Sequence, residues 1–217
     1  MKAYKNLLFD LDGTLTDPRE GITKCIAYAL EALGIVPPEL HELNSCIGPP
    51  LRDTFMRRFG LDEAANTAAI GKYRERFAEV GLFENLLFEG IPLLLEDLKS
   101  QGYRLFLATS KPEVFAREIL QHFKIDSFFD FAAGAALDES RPTKGDVIRY
   151  LMHEASLTKA QDCLMIGDRE HDVHGAQSCQ MQSVGVLYGF GSYQELNLAG
   201  ADYIVKDIPE LRNLLLA

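Results

Sequence analysis

The sequence predicts an α/β fold: a mostly parallel sheet with helices on both faces, and an all-helical block inserted after the first strand. Three observations predict it. Short, continuous apolar runs alternate with helical stripes along most of the chain. The stretch from Pro18 to Phe83 carries helical stripes alone. Acidic residues and a glycine crowd in directly behind the first apolar run, in LLFDLDGTLTD (Leu7–Asp17).

The elements follow in chain order. Leu7-Leu8-Phe9 has no polar alternation, so it reads as a strand buried on both faces of a parallel sheet. Ile22, Ile26, Ala29, Leu30 and Leu33 then recur at helical spacing up to Gly34. PPELHEL opens a second helix behind Pro37-Pro38. Leu51, Phe55 and Phe59 mark a third, stopped by Gly60, and Tyr73, Phe77 and Val80 mark a fourth. The Phe and Leu positions of this block are expected to be core. Strand and helix then alternate again, starting with the stripe Ile91, Leu94, Leu95 and Leu98. Tyr103–Thr109 is the next strand, and Val114, Phe115, Ile119 and Leu120 line the next helix. Phe128–Gly134 is a weaker strand, followed by the stripe Val147, Ile148 and Leu151. Cys163–Asp168, Ser183–Tyr188 and Asp202–Val205 complete the strands. The predicted division is a core of residues 1–16 and 84–217 and a helical domain of residues 17–83. Hinges are expected near Asp17 and between Gly81 and Gly90.

The totals exclude several function classes. A chain of 217 residues suffices for one large domain, or two small ones, with a real core. Its net charge of -10 repels polyphosphate backbones, so nucleic acid is not an expected partner. A small anionic substrate would need a local cation for the same reason. Cys25, Cys46, Cys163 and Cys179 are scattered without metal-ligand spacing, as free thiols of a reducing compartment are. Lys2 and Lys5 lead straight into a short run closed by Asp10, unlike a signal peptide. No apolar run approaches the roughly 20 residues of a membrane span. A cytoplasmic protein without membrane contact is expected, with a monomer or weak dimer as the default.

In an open parallel sheet, ligands bind beyond the carboxyl ends of the strands. Asp10, Asp12 and Thr14 follow the first strand, and Thr109, Ser110 and Lys111 the second. Arg141 and Lys144 lie beyond the third, and Gly167, Asp168 and Asp172 beyond the fourth. Asp10 and Asp12, two apart, face the same way in extended chain. With Asp168 beside them, their mutual repulsion calls for a counter-ion. A few oxygen ligands next to a phosphate site point to Mg²⁺ rather than a full Ca²⁺ cage, and the ladder of an EF-hand loop does not fit. One carboxylate can attack as a nucleophile while the second gives and takes a proton. Thr109, Ser110 and Lys144 are candidates to hold the phosphoryl oxygens.

DLDGTLTD, ATSKP, a Lys before a helix, and MIGDREHD occur in that order. Together they resemble the four motifs of the haloacid dehalogenase superfamily, phosphatase branch. The resemblance covers the whole chain. The helical block and CIGPPL (Cys46–Leu51) resemble the small helical cap of the phosphoglycolate-phosphatase-like group. It implies a Rossmann-like core, a mobile cap, Mg²⁺, and hydrolysis of a small phosphate monoester through an aspartyl phosphate. Asp10 resembles the nucleophile, and Asp12 the general acid/base whose main-chain carbonyl also ligates the metal. Asp168 resembles the remaining carboxylate ligand, and Asp172 the holder of a metal-bound water or of Lys144. The implied metal set is therefore Asp10, Asp12, Asp168 and Asp172. Thr109 matches the hydroxyl of the second motif, while Ser110 stands where many relatives carry Asn. Many relatives show a Lys-Pro pair at the third motif; here Arg141-Pro142 precedes Lys144, and both cations are candidates.

Thr14 and the cap residue Arg52 are candidate substrate contacts, with a solvated helix face as the alternative for Arg52. Dehalogenases of this fold lack the second aspartate, so Asp12 favours phosphoryl transfer. The implied substrates are 2-phosphoglycolate and nucleoside 5′-monophosphates. A sugar phosphomutase would share every core motif, and a non-enzymatic phospho-aspartate switch is the rival from another class. Structural roles compete at single positions. Asp17 reads as an N-cap ahead of Pro18, and Asp172 as a cap of the helix through Ala176. Thr109 and Ser110 have capping of the helix behind Pro112 as the alternative to their phosphate role. His171 and His174 read as surface residues rather than a metal pair, and Gly189–Gln194 as a loop.

Overall fold

The computed structural model describes residues 4–138 and 140–217; Lys2, part of the charged start, lies outside them. The chain divides into two compact units, Met1–Asp17 with Leu87–Ala217, and Pro18–Leu86. Its strands are β1 (Asn6–Phe9), β2 (Thr16–Asp17), β3 (Leu86–Leu87), β4 (Arg104–Pro112), β5 (Phe131–Ala135), β6 (Cys163–Gly167), β7 (Gln182–Val186) and β8 (Tyr203–Val205). Its α-helices are α1 (Arg19–Ala32), α2 (Leu51–Asp53), α3 (Glu63–Arg76), α4 (Ile91–Ser100), α5 (Glu113–His122), α6 (Lys144–Glu154), α7 (Glu170–Ser178), α8 (Tyr193–Ala199) and α9 (Ile208–Leu216).

Six strands form one sheet in the order β5-β4-β1-β6-β7-β8, and β2 pairs with β3 in a short ribbon. All neighbours in the large sheet are parallel. The chain steps outward from β1 to β4 and β5, then returns to the other edge of β1 with β6. This is the Rossmann-type order, and its switch point lies between β1 and β6. Leu7, Leu8 and Phe9 of β1, and Leu164, Met165 and Ile166 of β6, are fully buried. Both sheet faces are therefore covered, which is why these strands carry no polar alternation. Leu8, Phe106 and Met165 pack with Val147, Ile148 and Leu151 of α6. Each such side chain contributes about 1.5–3 kcal/mol on burial.

Three expectations in this unit shift. The stripe of α5 is Ala116, Ile119 and Leu120, while Val114 is exposed; the helix starts at Glu113, and the buried i, i+3, i+4 set begins later than read. The weak strand splits into a 3₁₀ turn, Asp126–Phe128, and β5. β7 stops at Val186, before Leu187 and Tyr188, which turn out of the sheet.

The second unit is helical but not uniformly α. Leu40–Cys46 is a 3₁₀ helix, and α2 and α3 run on as π turns over Thr54–Arg58 and Phe77–Gly81. Apolar spacing of three and four residues is compatible with all three helix types, so the pattern alone did not separate them. Phe55 and Phe77 are core, whereas Val80 and Phe83 are exposed. Asp17 does not cap α1: it lies in β2, and the N-cap residue is Pro18, without a side-chain cap bond. No helix among the described residues is long and apolar enough to cross a membrane.

Candidate active site

The core unit gathers its chemistry at the carboxyl ends of β1, β4 and β6. The Asp10 main-chain N–H donates to the Ile166 carbonyl (2.9 Å), so Asp10 stands one residue past β1, beside the end of β6. Asp168 follows β6 and is fully buried. α6 begins at Lys144, behind a capping box in which Thr143 and Asp146 satisfy each other's main-chain N–H groups. This fixed helix start aims the Lys144 side chain at the switch point. Its ammonium donates to the Ala108 carbonyl (3.0 Å) and pairs with Asp10 Oδ1 (2.9 Å) and Asp172 Oδ1 (2.7 Å). Three oxygens thus lie within 3.0 Å of one ammonium. Arg141 is elsewhere: it pairs with Glu113 (3.2 Å) and lies over the Tyr150 ring (3.9 Å).

Asp10 Oδ1 also accepts from the Leu11 N–H (2.7 Å). Asp172 is not the N-cap of α7, which is Arg169; it sits in the first turn and accepts from the Arg169 N–H (3.1 Å) while holding Lys144. Thr109 does not cap α5 either. The N-cap is Pro112, and Thr109 Oγ1 accepts from the Lys111 N–H (3.2 Å). The Thr14 hydroxyl is buried without a partner, and its carbonyl accepts from the Tyr188 hydroxyl (3.0 Å). Ser110 is partly exposed. Arg52 belongs to the helical unit, where it pairs with Glu63. His171 is half-buried and His174 exposed, and neither joins the acidic group.

Lys111, which the sequence places behind the second strand without a role, joins the site. This lysine is 8% exposed, and its ammonium lies 2.6 Å from Asp12 Oδ2. A signal for it existed: Lys111 is two residues beyond Thr109, on the same side of an extended chain.

Asp10, Asp168 and Asp172 each offer a carboxylate oxygen, all within 4.8 Å of one another. Burial, then Asp172 and Asp10, pushes the Asp168 carboxyl well above its usual range. Burial also pushes Asp172 up to about 6 and raises Asp12, which Lys111 opposes. Burial works against the Lys144 ammonium, but Asp10 and Asp172 outweigh it and raise its pKa. Two lysines face four carboxylates, leaving the fully ionised site two positive charges short of balance. Asp168 Oδ2 accepts from the Phe190 N–H (2.7 Å), while its Oδ1 is buried with no partner. An all-oxygen donor set with that deficit fits a hard divalent cation. Asp12 stands apart from the triple, since its carboxylate is held by Lys111.

Two glycines make this possible. Gly13 has φ +81°, and a methyl group there would collide with the Asp168 carboxylate. A methyl group on Gly189 would strike both the Gly13 carbonyl and the Asp168 side chain. The loop Gly189–Phe190–Gly191 is therefore a wall that fixes one Asp168 oxygen and leaves the other without a partner. Gly189→Ala is expected to weaken divalent-cation binding roughly 10–100-fold, as loss of an outer support does. Calorimetric titration with Mn²⁺ reads this directly, and unaltered affinity in a folded variant would refute the wall.

The sequence profile of the haloacid dehalogenase-like hydrolases matches residues 7–186. The chain belongs to this family. A 5′-nucleotidase of Pseudomonas aeruginosa is 50% identical over 98% of the chain and 96% of its own length. The tyrosine-protein kinase PtkA of Mycobacterium tuberculosis is 42% identical over 85% of the chain and 62% of its own length. A phosphoglycolate phosphatase of Colwellia psychrerythraea is 27% identical over 94% of both. The crystal structure of a predicted phosphatase from Clostridium acetobutylicum superposes with a TM-score of 0.95, at 49% identity over 98% of each chain. This haloacid dehalogenase-like hydrolase is a phosphoric monoester hydrolase with the fold that its motifs implied.

Proposed function

We propose that this hydrolase is a Mg²⁺-dependent 5′-nucleotidase that works through an aspartyl phosphate on Asp10. The observation that carries the chemistry is the pairing of Asp10 with Lys144 beside Asp168 and Asp172. The near full-length match to a 5′-nucleotidase supports nucleoside 5′-monophosphates over 2-phosphoglycolate as substrates. Asp10 Oδ1 is engaged by Leu11 and Lys144, which leaves Oδ2 to attack phosphorus. As the bond from phosphorus to the ester oxygen breaks, Asp12 gives that oxygen a proton. Asp12 then takes a proton from water, whose oxygen attacks phosphorus. The bond to Asp10 breaks, releasing inorganic phosphate and restoring the carboxylate. Thr14, Thr109, Ser110 and Lys144 hold the phosphoryl oxygens. Asp10, Asp168 and Asp172, together with the Asp12 main-chain carbonyl, would hold Mg²⁺, which would supply positive charge against those oxygens. Cys25, Cys46, Cys163 and Cys179, three of the four buried, suit a reducing cytoplasm.

A panel of phosphate esters scored by kcat/KM tests the reading. Nucleoside 5′-monophosphates are expected to exceed 2-phosphoglycolate and sugar phosphates at least ~10-fold. Preference for 2-phosphoglycolate would reassign the substrate. Interconversion of sugar phosphate isomers without phosphate release would make the protein a mutase.

A further inference from the structure

Lys111 is the second buried cation of this site, and its surroundings define a task for it. β4 pairs regularly with β5 through Ala108, loses register, and pairs again at Pro112. Irregular strand ends of this kind re-aim side chains next to active sites. In the irregular segment Thr109 and Lys111 are buried, and Ser110 between them is not. The buried pair therefore faces inward, and the Lys111 ammonium reaches Asp12 Oδ2 at 2.6 Å. The other lysine is fully committed to Ala108, Asp10 and Asp172. Three of the four carboxylates are thus shared out: Lys144 serves Asp10 and Asp172, and Lys111 serves Asp12. Asp12 Oδ1 is buried and has no partner. One oxygen of this carboxylate is tethered and the other is presented.

We propose that Lys111 is a positioning residue for proton transfer: it anchors Asp12 Oδ2 so that Oδ1 is the atom that hands the proton to the leaving oxygen. The role rests on the proposed phosphatase mechanism and deepens it. Its consequence depends on the leaving group. An alkoxide such as the ribose 5′-oxygen needs the proton as the bond to phosphorus breaks, whereas nitrophenolate departs without it. Lys111 therefore matters for natural alkyl esters and little for activated aryl esters.

The test compares Lys111→Met and Lys111→Gln with the unaltered enzyme, using kcat/KM for AMP and for 4-nitrophenyl phosphate. This ratio reports the steps through loss of the leaving group. Lys111→Met is expected to lose at least ~10²-fold on AMP, the typical worth of a placed general acid, and less than ~10-fold on 4-nitrophenyl phosphate. Lys111→Gln keeps a donor toward Asp12 and is expected to recover part of the loss on AMP. In the background of Asp12→Asn, Lys111→Met is expected to cost nothing further on AMP, because the two residues act as a unit. The double variant also removes both charges together, so it folds without a stranded carboxylate. Equal losses on the two esters, or losses that add to those of Asp12→Asn, would overturn the positioning role and make Lys111 a phosphate contact or a structural ion. Absence of hydrolysis of either ester by the unaltered enzyme would overturn the mechanism and this role together.

Discussion

Asp10→Asn is expected to abolish hydrolysis, lowering kcat at least ~10³-fold, without unfolding the chain. The carboxamide keeps the shape of the side chain but offers no oxyanion to attack phosphorus. Folding should not suffer, because the change removes one carboxylate from a crowd that includes Asp168 and Asp172. Lys144 keeps Asp172 and the Ala108 carbonyl as partners. The melting temperature without metal is therefore expected to hold or rise. Acid-quenched reactions with ³²P-labelled substrate check the chemistry: unaltered protein should carry label, and the variant none. Turnover retained by a pure Asp10→Asn sample would sink the covalent mechanism.

Lys144→Met is expected to damage both stability and rate. The ammonium is 2% exposed and stands between two buried carboxylates, so its loss strands both charges. Breaking such a buried arrangement costs about 3–5 kcal/mol. The loss should depend on pH, with a sign that follows from Asp172. Its carboxyl is pushed up to about 6 in the folded chain, above its usual value, so the folded state binds this proton more tightly than the unfolded state. Stability from such a group is full in acid and fades as pH rises through about 6. The stranded carboxylate can take up a proton in acid and cannot at higher pH. The deficit of the variant is thus expected to be larger at pH 8 than at pH 5, as read from urea midpoints. A divalent cation should recover more of the melting temperature in the variant than in unaltered protein, since it replaces missing positive charge. The rate is expected to fall at least ~10²-fold with the loss of a preorganised cation at the phosphoryl group. A deficit that does not change with pH would show that Lys144 acts through packing rather than charge.

Much of this was legible in the chain. Leu7–Phe9 followed by Asp10 and Asp12 is a contiguous signal, and the alternation of apolar runs with stripes such as Val147, Ile148 and Leu151 predicts the α/β class. Less was legible where one pattern serves several geometries. Tyr73, Phe77 and Val80 fit an α-helix, yet the segment from Phe77 is a π turn and Val80 faces solvent. Asp17 before Pro18 has the composition of a cap, but the chain there is a short strand. Arg141 and Lys144 are both cations near a predicted helix start, and only their distances separate them.

What the sequence by itself determined was local: which segments are strands or helices, and which residue types crowd at strand ends. Periodicity and short spacings are properties of neighbouring residues, so a linear reading captures them. Only the tertiary structure decided which charge meets which. Lys111 became a partner of Asp12, and Gly189 a neighbour of Gly13 and Asp168, when β1, β4, β6 and the loop after β7 came side by side. Coulombic attraction and steric exclusion depend on distance through space, and residues far apart in sequence acquire that distance only when the sheet is assembled.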